Sequence, residues 1–96
     1  MKKFVVVFSA AAVDDAEQAS DYYETIHPGL GNRFLNQLLL TLNAIKRNPF
    51  FASIRYDDIR CARVKKFPYL VHYTVNKKDA TVTIIAVYST HREPIN

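Results

Sequence analysis

Four cations crowd a short segment of this chain whose composition predicts a β-strand. Arg60, Arg63, Lys65 and Lys66 all lie within the predicted strand 59–67. Like charges this close repel one another, and burying them without partners is costly, so the strand needs a wet face. That face can bind an anionic partner. Alternatively, the cations are solvated and protect a sheet edge from pairing with other chains.

A second predicted strand, 69–76, follows a Phe67-Pro68 step and alternates between two faces. One face holds Tyr69, Val71, Tyr73 and Val75. The other face holds Leu70, His72 and Thr74. A polar turn over 76–79 then leads into a third predicted strand, 81–90, so that the two strands form a hairpin.

The elements that position these strands lie in the first half of the chain. The sequence predicts a strand over residues 3–8, amphipathic helices over 10–26 and 31–47, and a connector over 50–56. The element order is therefore β-α-α-β-β-β. It predicts an α+β fold in which a helical hairpin packs on a largely antiparallel four-stranded sheet.

Leu40 stands apart on the second predicted helix. At about 100° per residue it falls opposite the apolar face, in a group that contains Arg33, Gln37, Ala44 and Arg47. It is either a single exposed leucine, as many surfaces carry, or part of a partner-binding surface.

Length and composition exclude several classes of protein. The 96 residues, 49% of them hydrophobic, predict one domain over 1–96 with a small core. No apolar run approaches the roughly 20 residues of a membrane span. The apolar run that follows Lys2 and Lys3 is short and fits a β-strand better than a signal peptide. Cys61 is the only cysteine, which excludes an internal disulfide and predicts a cytoplasmic protein.

No motif predicts a metal or a cofactor. His27, His72 and His91 lack zinc-ligand spacing, and no glycine-rich phosphate loop or serine-nucleophile motif occurs.

The formal charge of +4 is unevenly distributed. Residues 14–24 contain five acidic residues and no Lys or Arg, whereas residues 33–78 contain ten Lys and Arg against Asp57 and Asp58. The second part of the chain can therefore present a positive field to an acidic protein or to nucleic acid.

Short matches along nearly the whole chain resemble one protein family in the same order. They are Phe8-Ser9, Ala12, Asp15, Tyr22, Gly31-Asn32-Arg33-Phe34, Asn48-Pro49, Ile59-Arg60, Val64 to Tyr69, Tyr73, Ala86-Val87 and Thr90 to Pro94. Together they resemble the RelE/ParE superfamily of bacterial toxins from type II toxin–antitoxin systems. The Phe-Pro-Tyr step and the Arg-x-Pro ending are closer to the ParE, plasmid-stabilisation branch.

The RelE branch of this resemblance implies a metal-independent, ribosome-dependent endoribonuclease that cleaves mRNA. Its phosphate-binding cations would be Arg63, Lys65 and Arg92. Two positions depart from that pattern: Leu70 stands where RelE-like enzymes carry an arginine, and their late tyrosine would fall beyond Asn96. His72 and His91 would then have to act as acid and base.

The ParE branch implies a toxin that binds a protein target such as DNA gyrase and requires no catalytic set or cofactor. Its partner-binding residues would be Arg60, Arg63, Lys65, Lys66, Arg92 and Leu40. Both branches imply a cognate antitoxin, whose acidic groups would meet the cations and with which an oligomer would form. A third possibility is a degenerate module that binds an antitoxin without being toxic. The Leu70 departure favours the ParE branch over the enzyme.

Overall fold

An edge strand leads directly into a helical hairpin at the start of the fold. The computed structural model describes residues 3–90, and its first elements are β1 (Val5–Phe8), α1 (Ala10–Ile26) and α2 (Leu30–Arg47). Ser9 caps α1, because its side-chain oxygen accepts a hydrogen bond from the Ala12 N–H at 3.0 Å. The same hydroxyl donates to the Ile85 carbonyl at 3.1 Å, which fixes the start of the helix to the sheet.

Two glycines set the geometry of the turn between the helices. Gly29 has a left-handed backbone, with φ at 89°, and introduces α2. Gly31 lies against α1, and a Cβ atom there would be 2.6 Å from the Ser20 carbonyl oxygen. The Glu24 carboxylate accepts hydrogen bonds from both glycine N–H groups at 3.0 Å, so one side chain of α1 caps the start of α2.

The remaining elements complete a five-stranded mixed sheet. They are β2 (Ile54–Tyr56), β3 (Ile59–Arg63), β4 (Tyr69–Asn76) and β5 (Thr81–Ser89). The strand order is β1-β5-β4-β3-β2, in which β1 is parallel to β5 and all other pairs are antiparallel. The α+β class and the helical hairpin packed on the sheet are confirmed. The prediction of four strands was wrong, because β2 forms within the predicted connector and pairs with β3.

The predicted strand 59–67 was too long. β3 ends at Arg63, and residues 64–68 form a turn closed by a hydrogen bond from the Val64 N–H to the Tyr69 carbonyl at 2.9 Å. Lys66 has a left-handed φ of 73° in this turn, which no β-strand accommodates. Lys65 and Lys66 therefore lie in the turn between β3 and β4, and only Arg60 and Arg63 of the four cations lie on the strand.

The core lies between the helical hairpin and one face of the sheet. Its fully buried large side chains include Phe34 and Ile45 from α2, Tyr73 from β4 and Ile84 from β5. Small residues of α1, such as Ala12, allow the helix to approach closely. An aromatic cluster closes one end of this core, with ring-centroid distances of 4.9 to 6.0 Å between its members Tyr23, Phe34, Phe67 and Tyr69.

α1 is also tied to the sheet by a carboxylate. β1 pairs with only the first half of β5, and beyond that point the Asp15 carboxylate accepts a hydrogen bond from the Val87 N–H at 3.0 Å. Neither helix in the described part of the chain is both long enough and apolar enough to cross a membrane.

Candidate recognition surface

The two arginines of β3 lie on opposite faces of the sheet. Arg60 pairs with Tyr73, and Arg63 pairs with Leu70. Directly paired residues share a face, and residues at odd spacing along a strand point to opposite faces. Arg60 therefore lies on the face covered by the helices, whereas Arg63 lies on the open face. The predicted basic strand does not form one continuous charged surface.

Arg60 has an anchoring role on the helix-covered face. Its Nη1 donates to the Ala52 carbonyl at 2.6 Å, and its guanidinium lies 5.2 Å from the centroid of the Phe50 ring. The Tyr73 hydroxyl donates to the Pro49 carbonyl at 2.8 Å in the same region. Arg60 and Tyr73 thus hold the connector between α2 and β2 against the sheet, and Arg60 is half-buried.

Arg63 begins a row of side chains that crosses the open face. The register places Leu70 next to Arg63 and Tyr88 next to Leu70, on three neighbouring strands. Arg63 is exposed, Leu70 is only 6% exposed, and Tyr88 is half-buried. The centre of this Arg63–Leu70–Tyr88 row is therefore apolar, with a cation at one end and a phenol at the other.

Tyr88 was missed by the sequence reasoning. The alternation of side chains along β5 does not predict which face Tyr88 occupies. The pairing register shifts between His72 and Tyr73, which leaves one extra residue in the facing stretch of β5 and reverses the faces beyond it. A tyrosine near the end of the last strand, paired in a hairpin with Leu70, was the signal available in the sequence.

His72 lies on the same face as Leu70, two residues further along β4, and is completely buried. Its Nδ1 is 3.1 Å from the Tyr56 hydroxyl and 3.3 Å from the Cys61 sulfur. The Tyr88 ring packs edge-on against the imidazole, with centroids 5.3 Å apart. Side chains from β2, β3 and β5 therefore separate His72 from solvent, and its role as an acid or base acting on bound RNA stays a prediction.

The other predicted residues are distributed over several places. Lys65 and Lys66 are exposed on the turn after β3, and Leu40 is 59% exposed on α2. His91 and Arg92 lie outside the described residues. Arg63 therefore lies at the end of β3 and Lys65 in the turn that follows, whereas Arg60 lies on the opposite face of the sheet from Arg63.

An apolar groove follows the junction of α1, α2 and the end of β1. Partly exposed Phe8, Val13 and Leu35 line it, while Glu17 and Asp21 lie along its side. Sequence reasoning assigned no role to this groove. The sequence did contain a sign of the groove, because the apolar residues Val13 and Leu35 lie on the flanks of their helices rather than on the buried stripes.

Within residues 3–90, no group of three His, Cys, Asp or Glu side chains is placed to hold a metal ion. The chemistry that this part of the structure offers is therefore ionic and apolar contact, supplied by exposed cations, a phenol and exposed aliphatic side chains.

Several solved toxin–antitoxin structures share this fold. A chain of the chromosomal ParDE TA system from P. aeruginosa superposes with a TM-score of 0.76 at 13% identity, covering 91% of this chain and 96% of its own. The intact E. coli RelBE toxin-antitoxin complex gives 0.71 at 19% identity, covering 95% and 100%. The RelBE2 complex from Mycobacterium tuberculosis gives 0.63 at 18% identity, covering 93% of both chains. At these identities the likeness establishes the fold.

Family membership rests on the sequence pattern itself. No curated protein sequence is significantly similar to the chain. A family model described as the ParE toxin of the type II toxin-antitoxin system, parDE, matches residues 6–94, which is nearly the entire chain. The chain therefore belongs to the ParE toxin family of type II toxin–antitoxin systems.

Proposed function

We propose that this toxin acts by binding a protein target such as DNA gyrase, and that a cognate antitoxin neutralises it. The observation that carries the proposal is the Arg63–Leu70–Tyr88 row on the open face, with His72 buried beside it on the same face. Such a row suits recognition of a protein surface, because it combines a cation, an apolar centre and an aromatic hydroxyl.

The same row is poorly suited to RNA cleavage. Cleavage needs a base for the 2′-hydroxyl, an acid for the leaving oxygen, and cations for the charge that develops on phosphorus. Arg63 and Tyr88 are separated by two strand spacings, which is roughly 10 Å. Leu70 lies between them and cannot stabilise a developing charge, and the buried His72 cannot exchange protons with a bound RNA.

The ribonuclease remains the second candidate because one observation favours it. Arg63 and Lys65 are both exposed at the end of β3, where they could contact a phosphate, and Tyr88 is partly accessible on the same face as Arg63. These residues would supply charge stabilisation and one proton-transfer group. They leave the second proton-transfer group unassigned among residues 3–90.

Pairing with an antitoxin is supported by the solved structures that share this fold, which include the ParDE system of P. aeruginosa and two RelBE complexes. This chain offers two complementary features for a partner. The groove at Phe8, Val13 and Leu35 offers apolar contact area, and the exposed Arg63 and Lys65 offer charge for acidic groups. A partner that wraps around the molecule would contact both.

Induction of the chain in bacteria without its antitoxin tests the proposal. We expect filamentation and DNA damage, with messenger RNA left intact on ribosomes. Cleavage of messenger RNA at ribosomes would establish the enzyme instead. Unimpaired growth with soluble protein present would point to a degenerate module that binds an antitoxin but is not toxic.

A pair of charge-reversal variants tests whether the open face is the working surface. Arg63→Glu is expected to abolish the growth defect, because it reverses the exposed charge at the end of the row. Lys78→Glu makes the same change in charge in the exposed β4–β5 turn and is expected to leave toxicity unchanged. Equal toxicity of both variants would reject the row as the site of target binding.

A further inference from the structure

A small concave site between α2 and the turn after β3 collects positively charged and amide side chains. Its lining consists of Leu30, Arg33, Asn36, Gln37, Lys66 and Phe67. Two of these residues are cations, two carry amide groups that can donate hydrogen bonds, and none is acidic. We call this site the Arg33–Lys66 pocket.

The two charges of the pocket are available to a ligand. Among residues 3–90, neither the Arg33 guanidinium nor the Lys66 ammonium has a hydrogen-bond or ion-pair partner. Both residues are exposed. A guanidinium presents a planar fork of donors that matches a carboxylate, and an ammonium adds a second charge-assisted hydrogen bond.

Lys66 has a backbone conformation that is unusual for its residue type. Three non-glycine residues in the described chain have left-handed backbones, namely Asp57, Lys66 and Ala80. Of these, Lys66 alone lines the pocket. Glycine adopts this conformation without strain, so the turn holds a lysine here at a backbone cost.

Leu40 extends the pocket with an apolar contact. It follows Gln37 by three residues and Asn36 by four, so its side chain lies on the same strip of α2, one turn further along. It is among the most exposed large apolar residues described. Leu40 follows Arg33 by seven residues, so a ligand that fills the pocket and touches Leu40 must present an anionic group and, about 10 Å away along the helix, an apolar group.

These features favour a protein segment over a nucleic acid. Leu40 is 59% exposed and apolar, so it adds contact area that a phosphate backbone cannot use. It offers contact to an aliphatic side chain instead.

We propose that the Arg33–Lys66 pocket, together with Leu40, docks a protein segment that carries a carboxylate beside an apolar side chain. The site lies on α2 and the β3–β4 turn, whereas the Arg63–Leu70–Tyr88 row crosses the open face of the sheet. The proposal therefore goes beyond the function proposed above and stands whichever target the toxin inhibits.

Titration of the purified chain with a short capped peptide tests the site by backbone amide chemical shifts. The peptide carries one glutamate and, three residues later, one leucine. We expect saturable shifts centred on residues 33–37 and 66. The double variant Arg33→Gln, Lys66→Gln is expected to bind about tenfold more weakly, since each 1.4 kcal/mol of lost charge-assisted bonding is a factor of ten. Leu40→Gln is expected to weaken binding as well.

Matched controls separate docking from a general charge effect. Lys3→Gln with Lys78→Gln removes the same two charges from exposed positions outside the pocket and is expected to bind the peptide as the unchanged protein does. Equal weakening by both double variants would overturn the proposal. Tighter binding of a thymidine decanucleotide than of the peptide at the same amides would also overturn it, in favour of nucleic acid.

Discussion

The backbone and the side chain of Lys66 make opposite demands on the residue type. Its left-handed φ of 73° suits glycine, whereas its ammonium group lines the Arg33–Lys66 pocket. Lys66→Gly should leave the free energy of unfolding unchanged or raise it by up to about 1 kcal/mol, because relief of left-handed strain slightly exceeds the entropy cost of glycine. The same variant should lose affinity for the acidic peptide.

Thermal unfolding and peptide titration of this one variant measure both effects. A large loss of stability would show that the Lys66 side chain maintains the turn. Unchanged peptide affinity would remove the lysine from the docking site.

The Glu24 carboxylate makes the stability of the fold depend on pH. Hydrogen bonds from Gly29 and then from Gly31 hold the pKa of its carboxyl below the usual value. A lowered pKa in the folded state means that the carboxylate stabilises the fold fully above the ordinary glutamate pKa of about 4.3. That contribution is lost as the pH falls through the lowered pKa of the folded state.

Glu24→Gln should therefore lower the melting temperature at pH 7, and the difference from the unchanged protein should shrink as the pH falls below about 4. Melting curves followed by circular dichroism between pH 7 and pH 2.5 measure this difference. Glu17→Gln, at an exposed carboxylate of the same helix, is the control. A difference between Glu24→Gln and the unchanged protein that stays constant over this range would contradict the account.

Tyr73 has a hydroxyl that is both buried and hydrogen-bonded. Burial raises the pKa of the phenol, so the group remains a donor at neutral pH. Tyr73→Phe leaves the Pro49 carbonyl without its 2.8 Å donor and should reduce the free energy of unfolding by about 1–3 kcal/mol. Urea denaturation measures the loss, with Tyr22→Phe at an exposed position of α1 as the control. Equal effects of the two changes would contradict the anchoring role.

At the scale of elements, the helical hairpin depends on the close approach at Gly31. A methyl group there would meet the Ser20 carbonyl oxygen at 2.6 Å, which is backbone and cannot rotate away. Gly31→Ala should therefore force the helices apart and destabilise the fold by about 1–3 kcal/mol. Denaturant titration measures this, and Asn32→Ala, at an exposed position of α2, should change stability little. A stable Gly31→Ala variant would contradict this close packing of the two helices.

The helices and the long strands could be predicted because their signals are local. The apolar stripe of α2 and the breaks at His27-Pro28-Gly29 and Asn48-Pro49 lie within a few residues of the boundaries that they set. The structure places α2 over Leu30–Arg47, within one residue of the prediction.

The sheet could not be fully predicted because its remaining contacts are non-local. β2 contains three residues and pairs irregularly with β3, so it has too little alternation to distinguish it from a connector. The parallel pairing of β1 with β5 joins residues more than 70 positions apart. No local pattern in either strand specifies the partner that it pairs with.

The candidate site illustrates the same limit. The alternation of β4 correctly placed Leu70 and His72 on one face, but it could not show that β2 and Tyr88 cover His72. The cations were visible in the sequence, whereas the turn after Arg63 that separates Lys65 and Lys66 from the strand was not. The sequence therefore predicted the residue types of the surface better than their arrangement.

At the scale of the whole molecule, charge and apolar exposure are divided between surfaces. The apolar groove lies at the junction of α1, α2 and the end of β1, with the acidic Glu17 and Asp21 along it. Cations lie on the open face at Arg63 and around the Arg33–Lys66 pocket. This division gives partners of different charge separate places to bind, and it is consistent with a toxin that must contact both an antitoxin and a target.

The central claim is that the open face recognises a protein and does not cleave RNA. Supercoiling of relaxed plasmid by purified DNA gyrase, in the presence of excess purified chain, tests it most directly. The account predicts that the chain inhibits supercoiling and that Arg63→Glu relieves the inhibition, whereas Lys78→Glu does not. Full supercoiling activity at every concentration of the unchanged chain would contradict the proposal that gyrase is the target bound by this face.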